Sequence, residues 1–207
     1  MTYDAGRNLL WVGHYYATEV GKINAANGSV VATKSLGTVR PYGLDMEDGD
    51  LWVADYSGKN FKCFNPADMN VAQTINAPGA WSYGPGHIAR ADGRSYSAQY
   101  SDYDIYKLDP GSGAIQKSFA AQDRLYYYYN HLEYANGSLW QSRYTQPRNV
   151  IHEMNYGNGA LLNSYRIGDW PESCYIYDLS FANSNEVWLL MPLAEESGGV
   201  SGLLEEF

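Results

Sequence analysis

The feature that most constrains this chain is its period. The segments Asn8-Leu9-Leu10-Trp11-Val12, Gly49-Asp50-Leu51-Trp52-Val53, Gly93-Arg94-Ser95-Tyr96-Ser97, Gly137-Ser138-Leu139-Trp140-Gln141 and Asn185-Glu186-Val187-Trp188-Leu189 align, with their rings 41, 44, 44 and 48 residues apart. Four residues beyond the ring a tyrosine recurs as Tyr15, Tyr56, Tyr100 and Tyr144, with Pro192 in the fifth unit. A period of this size marks a propeller or solenoid, in which each unit buries its apolar faces only against its neighbours.

Each unit reads as four strands. Strand A (Leu44-Asp45-Met46 in the second unit) runs into a tight turn of the Asp-Gly or Asn-Gly kind, whose residues tolerate positive φ. Strand B carries the Trp or Tyr, strand C alternates apolar and polar residues (Phe61-Lys62-Cys63-Phe64), and strand D follows a turn such as Asn65-Pro66-Ala67-Asp68. No stretch sustains a 3.6-residue period, so the chain is expected to be all-β. It reads as one domain, residues 1–207, forming a five-bladed propeller with blades near 1–37, 38–79, 80–122, 123–168 and 169–207. Four blades have four strands, and the fifth lacks its outer strand, because Phe207 falls where the next C–D turn would begin. Closure by packing alone, a fragment of a longer propeller, and a partner strand at the fifth-blade edge all fit that pattern, and Glu205 and Glu206 would also guard such an edge by charge.

Composition narrows the partners. The formal net charge of −9 attracts neither a phosphate backbone nor an anionic membrane, so no nucleic acid and no membrane partner is expected. The first residues carry no signal-peptide pattern and no run approaches a membrane span, which reads as a soluble chain of undecided compartment. The two cysteines, Cys63 and Cys174, make neither a disulfide framework nor a four-ligand zinc site by themselves. No phosphate-binding glycine loop or EF-hand calcium loop occurs, and no cofactor or metal is assigned. Asn27-Gly28-Ser29 and Asn136-Gly137-Ser138 match the glycosylation acceptor pattern but are explained as turns.

The stretch Arg40-Pro41-Tyr42-Gly43-Leu44-Asp45 through Leu51-Trp52-Val53-Ala54-Asp55, with Lys107-Leu108-Asp109-Pro110-Gly111-Ser112-Gly113 one unit later, resembles the propeller repeats of the NHL, YVTN and streptogramin B lyase-like class. The resemblance implies the architecture over nearly the whole chain. That class hosts lyases, cyclotransferases, lactonases and plain binding modules, and no catalytic motif of the class transfers residue by residue.

Propeller connectivity gathers the starts of strand A, the ends of strand B and the D-to-A connections on one face around the channel. That face receives His14, Asp55 and Gln99, and as candidate ligand-binding residues Arg40, Tyr42, Trp81, Tyr83, His87, Tyr127, Tyr129, His131, Arg143, Trp170 and Tyr177. Aromatic rings there offer stacking area, and charged groups orient a polar ligand. His87, His131 and Asp178 hold equivalent places on strand A and are the weak candidates for acid–base or metal chemistry. The ring series from Trp11 to Trp188, Tyr15, Tyr56 and Cys63 are expected to pack. Recognition of a glycan, peptide or partner protein at the aromatic face is the leading expectation. A small propeller enzyme (lyase, cyclotransferase or hydrolase) and a structural subunit of a larger assembly are the alternatives.

Overall fold

The computed structural model describes residues 1–99, 104–122, 131–143, 149–167, 176–183, 186–192 and 202–206. Blade 1 is β1 (Thr2–Asp4), β2 (Leu9–His14), β3 (Glu19–Asn24) and β4 (Val30–Ser35). Blade 2 is β5 (Pro41–Glu47), β6 (Asp50–Asp55), β7 (Asn60–Phe64) and β8 (Val71–Asn76), and blade 3 is β9 (Ala89–Ala91), β10 (Arg94–Ser97), β11 (Asp104–Leu108) and β12 (Ile115–Ala120). Blade 4 is β13 (Leu132–Ala135), β14 (Ser138–Ser142), β15 (Val150–Met154) and β16 (Leu161–Arg166). A further sheet holds β17 (Asp178–Asn183), β18 (Glu186–Pro192) and β19 (Gly202–Glu206). The chain is therefore an all-β propeller with four four-stranded antiparallel blades, followed by a three-stranded sheet. The inner strands follow one another from β1 through β5, β9, β13 and β17, and β17 touches β1 again.

The register is the same in every sheet. The ring residue on the second strand stands opposite Thr2, Asp45, Ala89, Glu133 or Ser180 on the first, and opposite Lys22, Cys63, Lys107, Glu153 or Glu206 on the third. Local chemistry sets the turns. Asp48-Gly49, Asp92-Gly93 and Asn136-Gly137 all have positive φ at both residues, the hairpin geometry that matches strand twist. Between the third and fourth strands the first turn residue is Asn24, Asn65, Asp109 or Asn155, whose side chain accepts the N–H two residues on at 2.8–3.1 Å. The fifth turn residue (Gly28, Met69, Gly113 or Gly159) has positive φ and donates its N–H to the first residue's carbonyl at 2.8–2.9 Å.

Each seam between consecutive sheets has its own core. Trp11, Val20 and Leu36 meet Leu44, Leu51 and Phe64, and Trp52, Phe61 and Ile75 meet Ile88 and Leu108. Tyr96, Ile105 and Phe119 meet Leu132, Leu139 and Met154, and Ile151 and Ile167 meet Ile176, Leu179 and Leu189. Of the ring series, Trp11, Trp52 and Tyr96 are buried, while Trp140 and Trp188 are half-buried. Cys63 is buried, and burial pushes its thiol up to about 11, so it is an inert packing residue.

Candidate functional site: channel and tyrosine mouth

Two tiers of positions run around the inner strands. One is the set opposite the ring: Thr2, Asp45, Ala89, Glu133 and Ser180. Two residues earlier on the same strands or their approach stand Gly43, His87, His131 and Asp178, and the Met1 amino group reaches this second tier from blade 1 by pairing with Asp178 Oδ2. Gly43 is dictated by space, since a Cβ there would lie 2.9 Å from His87 Cα and 3.0 Å from the Ile88 nitrogen. Inner strands have a free edge, so their outward N–H groups need acceptors. The first tier supplies them: Ser180 Oγ accepts from the Tyr3 N–H at 2.9 Å, Asp45 Oδ2 from the Arg90 N–H, and Glu133 from the Phe181 N–H.

Burial sets the protonation of this cluster. Asp45 is pushed up to about 7 by desolvation, against the pull of its backbone donors, and Glu133 is held well above the usual carboxylate range by desolvation and the Asp45 charge. Desolvation also lowers the histidines, His87 to about 3 and His131 well below its ordinary value. Neutral His131 satisfies both ring nitrogens when Nδ1–H donates to Asp178 Oδ1 and Nε2 accepts from the protonated Glu133, 3.3 Å away. The His87 ring stands edge-on to His131 at 6.3 Å. The arrangement is a linear acid–imidazole–carboxylate chain able to hold and pass a proton. Among the described residues no group of three or more His, Cys, Asp or Glu is arranged to hold a metal ion.

Above the channel, at the start of β5 and beyond the ends of β2 and β6, Tyr15, Tyr42 and Tyr56 form a three-ring cluster with centroids 5.5–6.0 Å apart. All three are half-buried; Tyr16, 81% exposed, packs edge-on to Tyr15 at 5.1 Å, and the exposed Arg40 guanidinium lies 5.5 Å from the Tyr15 centroid. Asp55 anchors this corner, its carboxylate accepting from the Arg40 N–H at 3.2 Å and the Gly58 N–H at 3.1 Å.

No family model and no curated protein matches the chain. Among solved structures it resembles the glutaminyl cyclase of Myxococcus xanthus, at 10% identity and a TM-score of 0.68, over 91% of this chain and 88% of that one. It also resembles the hydrazine synthase of Kuenenia stuttgartiensis at 12% identity and a TM-score of 0.56, over 97% of this chain and 57% of that one. At these identities the likeness shows the propeller fold alone.

The structure sorts the candidates read from the sequence. Arg40 and Tyr42 belong to the tyrosine mouth, and Tyr83, 49% exposed, stands beside Gln99, whose Oε1 is 3.5 Å from the Tyr83 nitrogen. His87, His131 and Asp178 meet in the channel, while Arg143 and Tyr177 are half-buried. Trp81 is a correction. It is 6% exposed and packs against Phe61 and Tyr106 at 6.5 and 5.3 Å, so it is seam core and not an open stacking ring. Tyr127, Tyr129 and Trp170 lie outside the described residues. Tyr15 and Tyr56, expected to pack between blades, do so against each other at 6.0 Å and against Tyr42, and both stay half-buried. Glu133 and Asp45 were missed, although their place opposite the ring residue in the repeat is the signal that finds them.

Proposed function

We propose that the chain is a five-bladed recognition propeller, its three-stranded sheet serving as the fifth blade, which binds an extended polar ligand such as a glycan or peptide at the tyrosine mouth. The observation that carries this reading is the Tyr15–Tyr42–Tyr56 cluster with Arg40 beside it. Three rings kept half-open to solvent at a channel entrance, with an exposed ring and a guanidinium at the rim, offer stacking faces and an orienting charge in one place. His131 is paired with Asp178 and Glu133, and Asp45 with a backbone N–H, which suits a binding floor. The test is a screen of oligosaccharides and unstructured peptides against the protein and a Tyr42→Ala, Tyr56→Ala variant. Hits lost in the variant support the reading, and hits indifferent to it sink it.

A second reading is favoured by the Glu133–His131–Asp178 chain together with the likeness to a glutaminyl cyclase. Cyclising a glutaminyl group joins an amine to a side-chain amide carbonyl and expels ammonia, so a proton must pass from the attacking nitrogen to the leaving one. A buried imidazole between two carboxyl groups can carry it. Release of ammonia from a peptide beginning with glutamine, abolished in His131→Gln, is the result that would put this reading first.

A further inference from the structure

The Arg40 guanidinium is a charge without a counter-ion in an acidic chain. It is exposed, it lies 5.5 Å from the Tyr15 centroid, and among the described residues it makes no hydrogen bond or ion pair. Arg7, Arg90 and Arg94, by contrast, each hold a carboxylate at 2.7–3.5 Å. Asp55, which anchors the same corner, is 2% exposed and spent on the Arg40 and Gly58 N–H groups and on Lys62 Nζ at 3.5 Å. Glu19 stands at this end too, half-buried and opposite the exposed His14. Lys59, also exposed here, donates to Ser82 O at 2.8 Å. The exposed carboxylates Asp48, Asp68 and Asp92 lie at the opposite end, in the turns that follow β5, β7 and β9. The formal net charge of −9 is therefore unevenly spread, and the mouth offers an anion an unpaired cation.

The backbone of this rim is already committed. The Arg40 N–H goes to Asp55, the Arg40 carbonyl accepts from the Tyr56 N–H at 3.2 Å, and Pro41, which opens β5, has no N–H. A peptide that binds through its main chain finds these donors taken. What stays exposed is the Tyr16 ring and the guanidinium, both within 5.5 Å of the Tyr15 centroid. A hexuronate ring joins the two matching features in one unit, an apolar C–H face that stacks on tyrosine and a carboxylate that takes paired N–H bonds from a guanidinium. We propose that the ligand of the tyrosine mouth is an acidic glycan, one of whose uronate carboxylates pairs with Arg40 while its sugar rings stack on the tyrosines. The inference rests on the recognition reading above and adds the class of sugar.

Trisaccharides of galacturonate and of mannuronate serve as probes, each with its methyl ester as the neutral match. They are titrated into the parent, Arg40→Gln and Tyr42→Ala. At low salt at least one acid is expected to bind the parent about fivefold tighter than its ester, the size of an exposed charge pair, and the advantage is expected to vanish at about 1 M salt. Arg40→Gln, at an exposed side chain, is expected to remove the same advantage while leaving the melting temperature and the ester's affinity unchanged. Tyr42→Ala is expected to weaken acid and ester alike. Acid and ester bound equally, and both weakened by Tyr42→Ala, overturn the carboxylate and leave recognition at the mouth standing. An acid preference indifferent to Tyr42→Ala overturns both. A preference that survives Arg40→Gln, no binding of any of the four probes, or tighter binding of a capped tetraglutamate peptide overturns the acidic glycan.

Discussion

Asp45 of blade 2 accepts the backbone N–H of Arg90 in blade 3, so a carboxylate at the centre of the propeller joins two blades rather than facing a ligand. Ser180 and Tyr3 repeat the relationship between the three-stranded sheet and blade 1 at 2.9 Å. This explains why Asp45 and Glu133 sit desolvated at the centre: each occupies the place of a missing hydrogen-bond partner for a neighbouring inner-strand edge.

The cost of that arrangement depends on pH. Asp45 is raised from 3.8 to about 7, so the folded protein holds a proton that the unfolded chain has released between those values. Its contribution is fully present below the lower value and lost as pH rises through the upper one. Asp45→Asn keeps an oxygen acceptor without the titration. The variant is expected to gain stability relative to the parent as pH rises from about 4 to about 7, with the gap level above that, in urea unfolding measured at each pH. A gap that does not change with pH contradicts the assignment.

Trp81 is core. Trp81→Ala is expected to cost about as much as Trp52→Ala, ~3–5 kcal/mol each, because both rings are buried in one cluster. Thermal melts of the two variants decide it, and a near-neutral Trp81→Ala would return the ring to the binding face.

Glycines divide by what a Cβ would meet. Gly43→Ala places a methyl 2.9 Å from His87 Cα, backbone that cannot step aside, and is expected to cost ~1–3 kcal/mol. Gly79→Ala, with nothing within 4 Å, should be nearly neutral in the same denaturation assay.

The repeat was legible in the sequence because Trp11, Trp52, Tyr96, Trp140 and Trp188 are periodic, and the structure gives all five the same register. The all-β class followed from the same pattern. Less legible was anything that depends on a neighbouring blade. Asp45 and Glu133 look like ordinary strand residues, since the N–H groups they serve lie some 45 residues further on. Trp81 misled for a similar reason. Its connection turns inward, the Trp81 N–H donating to Pro78 O at 2.9 Å, and this tucks the ring beneath a surface that connectivity alone assigns to the mouth. Tyr15 and Tyr56 do pack across the first blade pair as their recurrence implies, but the repeat does not say that they remain half-buried there.

Ligand binding by the tyrosine mouth is tested most directly by titrating the best hit of the oligosaccharide and peptide screen into the parent protein, Tyr42→Ala and His131→Gln, each checked by thermal melt. The expected result is a roughly tenfold weaker Kd for Tyr42→Ala, about 1.4 kcal/mol, with the variant still folded at the assay temperature although its melt is lowered by the two lost ring contacts, and no turnover of the ligand by any of the three. Equal affinity for the parent and Tyr42→Ala, or release of ammonia from a glutamine-headed peptide that His131→Gln abolishes, would contradict it.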